Sequence, residues 1–266
     1  MSEPPPAPAS GSLGLTASLD GPPDAPVLVL GNSLGTTRAV WEPQLPAFGS
    51  HFRLLRYEHP GHGGSAAAPG PYSIEELGAG VLALLDSCGI ERAAYCGISL
   101  GGMIGIWLAA NAPERITALG LCCTSAYLPP ASAWLERAGL VRSAGMRSVS
   151  RLVVSRWFAP AFADRQPAVP ESFVAQFERT DPQGYAGCCE AIAGMDLRDS
   201  LGSISAPTLV IAGSEDPATP PAHGAVIAAG ISGARLIVVR GAAHLANVSA
   251  AGQVTAALLG HVRAMA

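Results

Sequence analysis

The sequence predicts an α/β fold in which a doubly wound, mostly parallel sheet is interrupted by an inserted helical segment. Short apolar runs, most of them bounded by glycine or proline, alternate with helical patterns along most of the chain. Such runs are typical of buried parallel strands, and their alternation with helices is typical of a doubly wound sheet. Between residues 125 and 199 the strand runs stop and only helical patterns remain.

Six apolar runs are expected to form strands, because each is short and most are rich in strand-forming residues. They are residues 26–30, 52–57, 93–97, 116–122, 208–212 and 236–239.

The first long helix is expected to begin after Ser73, since Glu76 three residues later completes a capping-box pattern. Gly89 is placed to end it. Two further core helices are predicted over 100–111 and 248–265. In the inserted segment, helical patterns cover 132–141, 146–158, 170–179 and 185–193.

These patterns divide the chain into three parts. Residues 1–11 form a proline-rich tail that we expect to be disordered. Residues 12–124 and 200–266 form the α/β core, and residues 125–199 form a helical cap inserted after one core strand.

Composition narrows the classes of function. The chain has 266 residues, 49% of them hydrophobic and 14% charged, as expected for a folded globular protein. A net charge of −4 gives no basic field for nucleic acid. The six cysteines form no CxxC or disulfide pattern, which favours a reducing, cytoplasmic location. No signal peptide, membrane span, metal motif or nucleotide-binding loop is recognised, so no cofactor, nucleic-acid partner or membrane partner is expected.

The strongest motif is Gly97-Ile98-Ser99-Leu100-Gly101, a G-x-S-x-G sequence. An apolar strand runs directly into it and an apolar helix runs directly out of it. This context is typical of a sharp strand-to-helix turn that exposes a nucleophilic serine, with glycines where side chains would clash. Ser99 is therefore the candidate nucleophile. The alternative is a glycine-rich packing turn with an ordinary serine.

A serine nucleophile needs a base and an acid that orients the base, in the chain order Ser, acid, His. Asp216 follows the fifth predicted strand, and His244 follows the sixth. We therefore predict Asp216 as the orienting acid and His244 as the general base. Glu215 is the neighbouring alternative acid, and Asp196 and Asp199 are weaker ones. His62 lies in a Gly-His-Gly turn and is interpreted as structural, bonding its own loop.

The oxyanion of a serine hydrolase needs preorganised hydrogen-bond donors. The backbone N–H of Leu100, directly after the nucleophile, is expected to be one. The second is expected from the loop after the first central strand, Asn32-Ser33-Leu34-Gly35-Thr36, with Leu34 as the chosen donor.

From about Asp20 to Val248, the chain resembles the 3-oxoadipate enol-lactonase family of the α/β-hydrolase fold. The resemblance is carried by the Asn-Ser-Leu-Gly-Thr loop, the serine turn and the Gly-Tyr-Ala-Gly-Cys-Cys stretch that begins at Gly184. Arg156-Trp157-Phe158 and His244-Leu245-Ala246-Asn247-Val248 contribute to it as well. One departure follows Tyr57, where the family usually has an Asp and an Arg and this chain has Glu58-His59-Pro60.

The resemblance implies hydrolysis of 3-oxoadipate enol-lactone in aromatic catabolism, through an acyl-enzyme and without a cofactor. It also implies two substrate-binding residues in the cap. Trp134 would donate a hydrogen bond to the substrate from its indole N–H, and Arg137 would pair with the substrate carboxylate. The alternative for this pair is that Trp134 is cap core and Arg137 is solvated. Two other functions stay open: a broad carboxylesterase or cofactor-free perhydrolase of the same fold, and a small-molecule receptor with slow turnover.

Overall fold

The sheet has seven strands in the computed structural model, which describes residues 13–265. The strands are β1 (Ala17–Asp20), β2 (Val27–Gly31), β3 (Arg53–Tyr57), β4 (Ala93–Ile98), β5 (Ile116–Cys122), β6 (Thr208–Gly213) and β7 (Arg235–Val239). Their order across the sheet is β1-β3-β2-β4-β5-β6-β7, and all neighbouring pairs are parallel except β1 with β3. The prediction of a mostly parallel, doubly wound sheet is confirmed.

Strand β1 was not expected from the sequence. It is four residues long and only its first residue, Ala17, is buried. It forms by antiparallel pairing with β3, where Ala17 faces Tyr57 and Asp20 faces Leu54. Such an edge strand has a weak apolar pattern of its own, because its neighbour supplies the hydrogen bonds.

Eleven α-helices lie within the described residues. They are α1 (Leu45–Phe48), α2 (Ile74–Ser87), α3 (Leu100–Asn111), α4 (Ala131–Ala144), α5 (Ser150–Val154), α6 (Pro160–Arg165), α7 (Ala168–Phe177), α8 (Pro182–Ala193), α9 (Pro221–Gly230), α10 (Ala246–Ser249) and α11 (Ala251–Arg263).

Helices α3 and α11 cover opposite faces of the sheet. A side chain added at Gly105 of α3 would meet Tyr95 and Leu119, whereas one added at Gly120 would meet Leu258 of α11. Leu119 and Gly120 are adjacent in β5, and adjacent strand residues point to opposite faces. The central strands are therefore buried on both sides, which explains their continuous apolar runs.

The predicted capping box at Ser73 is confirmed. The Glu76 amide donates to Ser73 Oγ (3.1 Å) and the Ser73 amide donates to a Glu76 carboxylate oxygen (2.8 Å). The predicted C-terminal helix is divided, because Ala250 is non-helical between α10 and α11 (φ −128°).

The segment between β5 and β6 contains α4 to α8 and no strand of the sheet within the described residues. Its two ends meet at a single bridge between Tyr127 and Asp196, beside a hydrogen bond from the Leu197 amide to the Ala126 carbonyl (2.8 Å). The cap therefore has a closed base next to the carboxyl ends of the strands. The helix expected over 146–158 is instead a short 3₁₀ turn and α5, and α6 was not predicted.

Five of the six cysteines are buried, Cys88 is half-buried, and all are free thiols. No helix among residues 13–265 is both long and apolar enough to cross a membrane. The prediction of a disordered tail over 1–11 concerns residues outside the described part.

Candidate active site

Ser99 occupies the turn between β4 and α3 with an unusual backbone, φ 52° and ψ −115°. A non-glycine residue in such a region is strained, by about 1–3 kcal/mol. The flanking glycines explain the turn's sequence. A Cβ on Gly97 would lie 2.3 Å from the backbone of Gly101, and one on Gly101 would lie 2.4 Å from the backbone of Gly31. The strand and helix can approach this closely only without side chains.

Hydrogen bonds hold the strained serine in place. Its amide donates to the Cys122 carbonyl on neighbouring β5 (3.0 Å), and the Thr124 hydroxyl donates to the Ser99 carbonyl (2.7 Å). Strand β5 and the residues directly after it therefore hold both the amide and the carbonyl of Ser99.

His244 and Asp216 form a buried pair at the ends of β7 and β6. Nδ1 of His244 lies 2.8 Å from Oδ2 of Asp216. An ionised carboxylate can only accept, so Nδ1 carries the proton and Nε2 keeps its lone pair. Glu215, the alternative acid, is exposed, and its amide donates to the Ala242 carbonyl.

Thr219 supports the acid and was not singled out from the sequence. Its hydroxyl donates to Asp216 Oδ2 (2.7 Å), and the amides of Ala218 and Thr219 donate to Oδ1 (2.8 and 3.0 Å). Burial acts to raise the pKa of Asp216, but His244 and the Thr219 bonds outweigh it and leave the pKa below its usual value. Asp216 therefore stays ionised beside the imidazole.

Ser99 and His244 line one cavity of about 210 Å³ between the sheet and the cap. The cavity is smaller than the usual ligand pocket and suits a small substrate. Its other lining residues are Ser33, Leu34, Leu128, Pro129, Pro130, Ala133, Trp134, Arg137, Val153, Arg156, Trp157, Tyr185, Pro217, Ala218 and Thr219.

The two predicted oxyanion donors are the amide next to the serine in the chain and an amide of the loop after β2. Leu100 is the first residue of α3, so its amide has no acceptor in the preceding turn of helix. Leu34 lines the cavity. Within residues 13–265, neither amide donates to a protein acceptor. Both are therefore free to donate to a substrate.

Trp134 and Arg137 lie on the cavity side of α4, and the guanidinium of Arg137 stacks over the Trp134 ring at 4.5 Å. The indole N–H of Trp134, however, donates to the Leu128 carbonyl (3.1 Å). The predicted bond from this N–H to substrate would require that backbone bond to break. Trp134 instead offers a ring surface that supports Arg137.

Arg156 is a second arginine in the cavity lining, and sequence reasoning gave it no role. Among the described residues, neither Arg156 nor Arg137 forms an ion pair, and no Asp or Glu lines the cavity. The cavity is therefore locally positive although the chain is net negative. The sequence shows Arg156 directly before Trp157, but only the structure places it in the cavity lining.

A family model described as the alpha/beta hydrolase fold matches residues 26–251. The chain is 40% identical over 228 residues to 3-oxoadipate enol-lactonase 2 of Acinetobacter baylyi, covering 86% of this chain and 85% of that protein. Among solved structures, it is similar to the enol-lactonase from Burkholderia xenovorans LB400, with a TM-score of 0.91 and 41% identity over 94% of this chain and 96% of that one. A hydrolase from Pseudomonas aeruginosa PA01 has a TM-score of 0.92 and 44% identity, with 96% of each chain covered.

The fold and these matches define a hydrolase enzyme. The chain belongs to the α/β-hydrolase family and, within it, to the group of the 3-oxoadipate enol-lactonases.

Proposed function

We propose that the protein hydrolyses 3-oxoadipate enol-lactone, a small ring ester with one carboxylate, through an acyl-enzyme on Ser99. The observation that carries the proposal is the combination, in one small cavity, of Ser99, the Asp216-oriented His244 and two arginines without carboxylate partners. The first three groups supply ester hydrolysis, and the arginines supply selectivity for an anionic substrate. The similarity to the enol-lactonases supports the choice of lactone.

The first half of the reaction is acylation. Nε2 of His244 takes the proton of the Ser99 hydroxyl as Oγ attacks the lactone carbonyl carbon. The resulting oxyanion accepts hydrogen bonds from the amides of Leu34 and Leu100. Collapse of this intermediate breaks the ring C–O bond, and His244 returns its proton to the enol oxygen. The positive charge that His244 carries between these steps is stabilised by Asp216 at 2.8 Å.

Opening a lactone leaves the departing oxygen tethered to the acyl group, so ring closure competes with the forward reaction. An enol leaving group removes this competition, because it becomes a ketone whose oxygen is a poor nucleophile. Water, activated by His244, then attacks the acyl-enzyme and releases Ser99 with a free dicarboxylate. The product carries one more negative charge than the substrate.

The arginines act on the carboxylate that does not react. Arg137 is held by the Trp134 ring on α4, and Arg156, which follows α5, also lines the cavity. Charge-assisted bonds from either guanidinium would orient the ring so that its carbonyl faces Ser99. Stacking on Trp134 restricts the rotamers of Arg137, which lowers the entropy lost on binding.

The test is hydrolysis of 3-oxoadipate enol-lactone, followed by loss of its absorbance, with neutral aryl esters measured in parallel. We expect fast turnover of the lactone and weak turnover of the aryl esters. The Ser99→Ala variant is the blank for both reactions.

Other outcomes would replace the proposal. Turnover of aryl esters without turnover of the lactone would leave a carboxylesterase or perhydrolase. Slow acylation of Ser99 without release of product, seen by mass spectrometry, would leave a receptor that uses the same residues.

A further inference from the structure

The Leu34 amide, a proposed oxyanion donor, belongs to a loop whose backbone is hydrogen-bonded by two buried histidines. The amide of the next residue, Gly35, donates to Nε2 of His62 (2.9 Å). At the start of the same loop, Nε2 of His59 bonds the Asn32 carbonyl (2.8 Å). His59 and His62 are 1% and 0% exposed, and neither lines the cavity.

The hydrogen bonds of His62 define its tautomer. Nδ1 lies 2.9 Å from the Pro60 carbonyl, which can only accept, so Nδ1 carries the proton. Nε2 is then a lone-pair acceptor for the Gly35 amide. Burial, together with the neighbouring His59, lowers the pKa of His62 to about 3, so the ring stays neutral near pH 7.

The loop needs this support because it contains a glycine, whose backbone can adopt several conformations. Gly35 has φ +82°, a region that only glycine adopts easily, and a Cβ there would lie 2.5 Å from Phe177 of the cap. The Leu34 amide lies between two anchored groups, the Asn32 carbonyl bonded by His59 and the Gly35 amide bonded to His62. Without the His62 bond the φ and ψ angles of Ser33 and Leu34 are less restricted, so the direction of the Leu34 amide is less well defined.

The loop that carries His62 is itself attached to the cap. The Asp181 amide donates to the Gly61 carbonyl (2.9 Å), and a Cβ on Gly61 would lie 2.8 Å from Gly184 of α8. The loop that carries His62 thus connects the start of α8 with the loop that carries the Leu34 amide.

We propose that His62 is a positioning residue for ester hydrolysis: by accepting from the Gly35 amide, it fixes the adjoining Leu34 amide in the direction that binds the oxyanion. This inference rests on the proposed function of Ser99 and the Leu34 amide. It assigns a role in turnover to a histidine that never touches substrate.

The test compares His62→Leu, which cannot accept a hydrogen bond, with His62→Gln, whose amide oxygen can reach toward the Gly35 amide. We expect His62→Leu to lower kcat about 10- to 100-fold, the range for a misplaced donor, with KM changed less than about twofold. His62→Gln should recover most of kcat. Binding of a trifluoromethyl ketone, which mimics the tetrahedral intermediate, should weaken in parallel with kcat/KM.

The matched control is His261→Leu. His261 is also buried and bonds a backbone carbonyl, that of Pro207 (3.1 Å), but it lies on α11 and does not line the cavity. This variant should lower the melting temperature and leave kcat and ketone binding unchanged. If His62→Leu behaved like His261→Leu, the role of His62 would be structural only and the proposal would be overturned.

The readout does not depend on the natural substrate. Labelling of Ser99 by a fluorophosphonate, and acylation by p-nitrophenyl acetate, use the same oxyanion donors. Failure of the wild-type protein on the lactone, with normal labelling, would contradict the proposed substrate alone. Equal labelling rates for wild type and a folded His62→Leu would contradict the role of His62, and no labelling of the wild type would overturn both.

Discussion

The carboxylate of Asp216 lies 2.8 Å from Nδ1 of His244, and the neighbouring Glu215 is exposed and makes no contact with the imidazole. Two adjacent carboxylates therefore have different environments. Asp216→Asn should lower kcat about 10⁴-fold, because the amide can stabilise the wrong tautomer of His244. Glu215→Gln should retain nearly full activity. Steady-state kinetics of both variants checks this, and a reversed pattern would reassign the acid.

Ser99→Ala should retain the fold and lose turnover by about 10⁴-fold or more, since the remaining groups have no nucleophile to activate. Activity and circular dichroism would be measured on the same preparation. The variant should also fail to react with fluorophosphonate. Residual activity close to wild type would exclude Ser99 as the nucleophile.

Arg137→Met and Arg156→Met test the charge in the cavity. Each should raise KM for the lactone about tenfold, as expected for the loss of one charge-assisted bond, with little change for neutral aryl esters. Arg151→Met is the control, because Arg151 pairs with Glu171 on the surface (3.0 Å) and does not line the cavity. Equal effects on charged and neutral esters would indicate a packing role.

Two glycine substitutions should change stability in opposite directions. Gly97→Ala places a Cβ 2.3 Å from the backbone of Gly101 and should cost about 3 kcal/mol or more. Gly139 lies in α4, where an added Cβ would meet nothing within 4 Å. Gly139→Ala should therefore stabilise by about 0.5–1 kcal/mol, through helix propensity. Urea unfolding measures both, and a tolerated Gly97→Ala would contradict the close contact.

The free energy of unfolding should decrease on acidification below about pH 6.5. Burial lowers the pKa of His59 to about 4 and that of His62 to about 3, whereas both are near 6.5 when unfolded. The unfolded chain therefore takes up protons first as the pH falls, and the stability present at pH 7 is progressively lost. Each histidine contributes a slope of up to about 1.4 kcal/mol per pH unit.

Glu58 opposes this trend, because burial raises its pKa to about 7. Its contribution to the free energy of unfolding is therefore largest at low pH and is lost as the pH rises from 4.5 to 7. Because the two histidines destabilise the fold on acidification and only Glu58 opposes them, the net effect of these three residues is a lower free energy of unfolding at acidic pH. The measurement is urea unfolding between pH 7.5 and 4.5 for wild type and His62→Gln. The variant should show a shallower slope, and an unchanged slope would mean that His62 takes up no proton on unfolding in this range.

Much of the framework follows from local sequence. The apolar runs from Ile116 to Cys122 and from Thr208 to Gly213 are predicted as strands from the sequence and are strands in the structure. Their sequence signal is strong because strands buried on both faces are almost continuously apolar. The Ser73 and Glu76 capping box is an equally local signal. Strand β1 is different, since it exists only through its pairing with β3.

The sequence by itself determined the strand ends at which Ser99, Asp216 and His244 lie, because a parallel sheet brings the carboxyl ends of its strands to one edge. Only the tertiary structure decided which polar atoms remain free there. It placed the Trp134 N–H on the Leu128 carbonyl, added Thr219 to Asp216 and Arg156 to the cavity, and set His62 beneath the Gly35 amide. The physical reason is that these contacts join residues distant in the chain or depend on how the loops and the cap pack. Whether a hydrogen bond forms is then decided by distances of a few tenths of an ångström, which no residue pattern records.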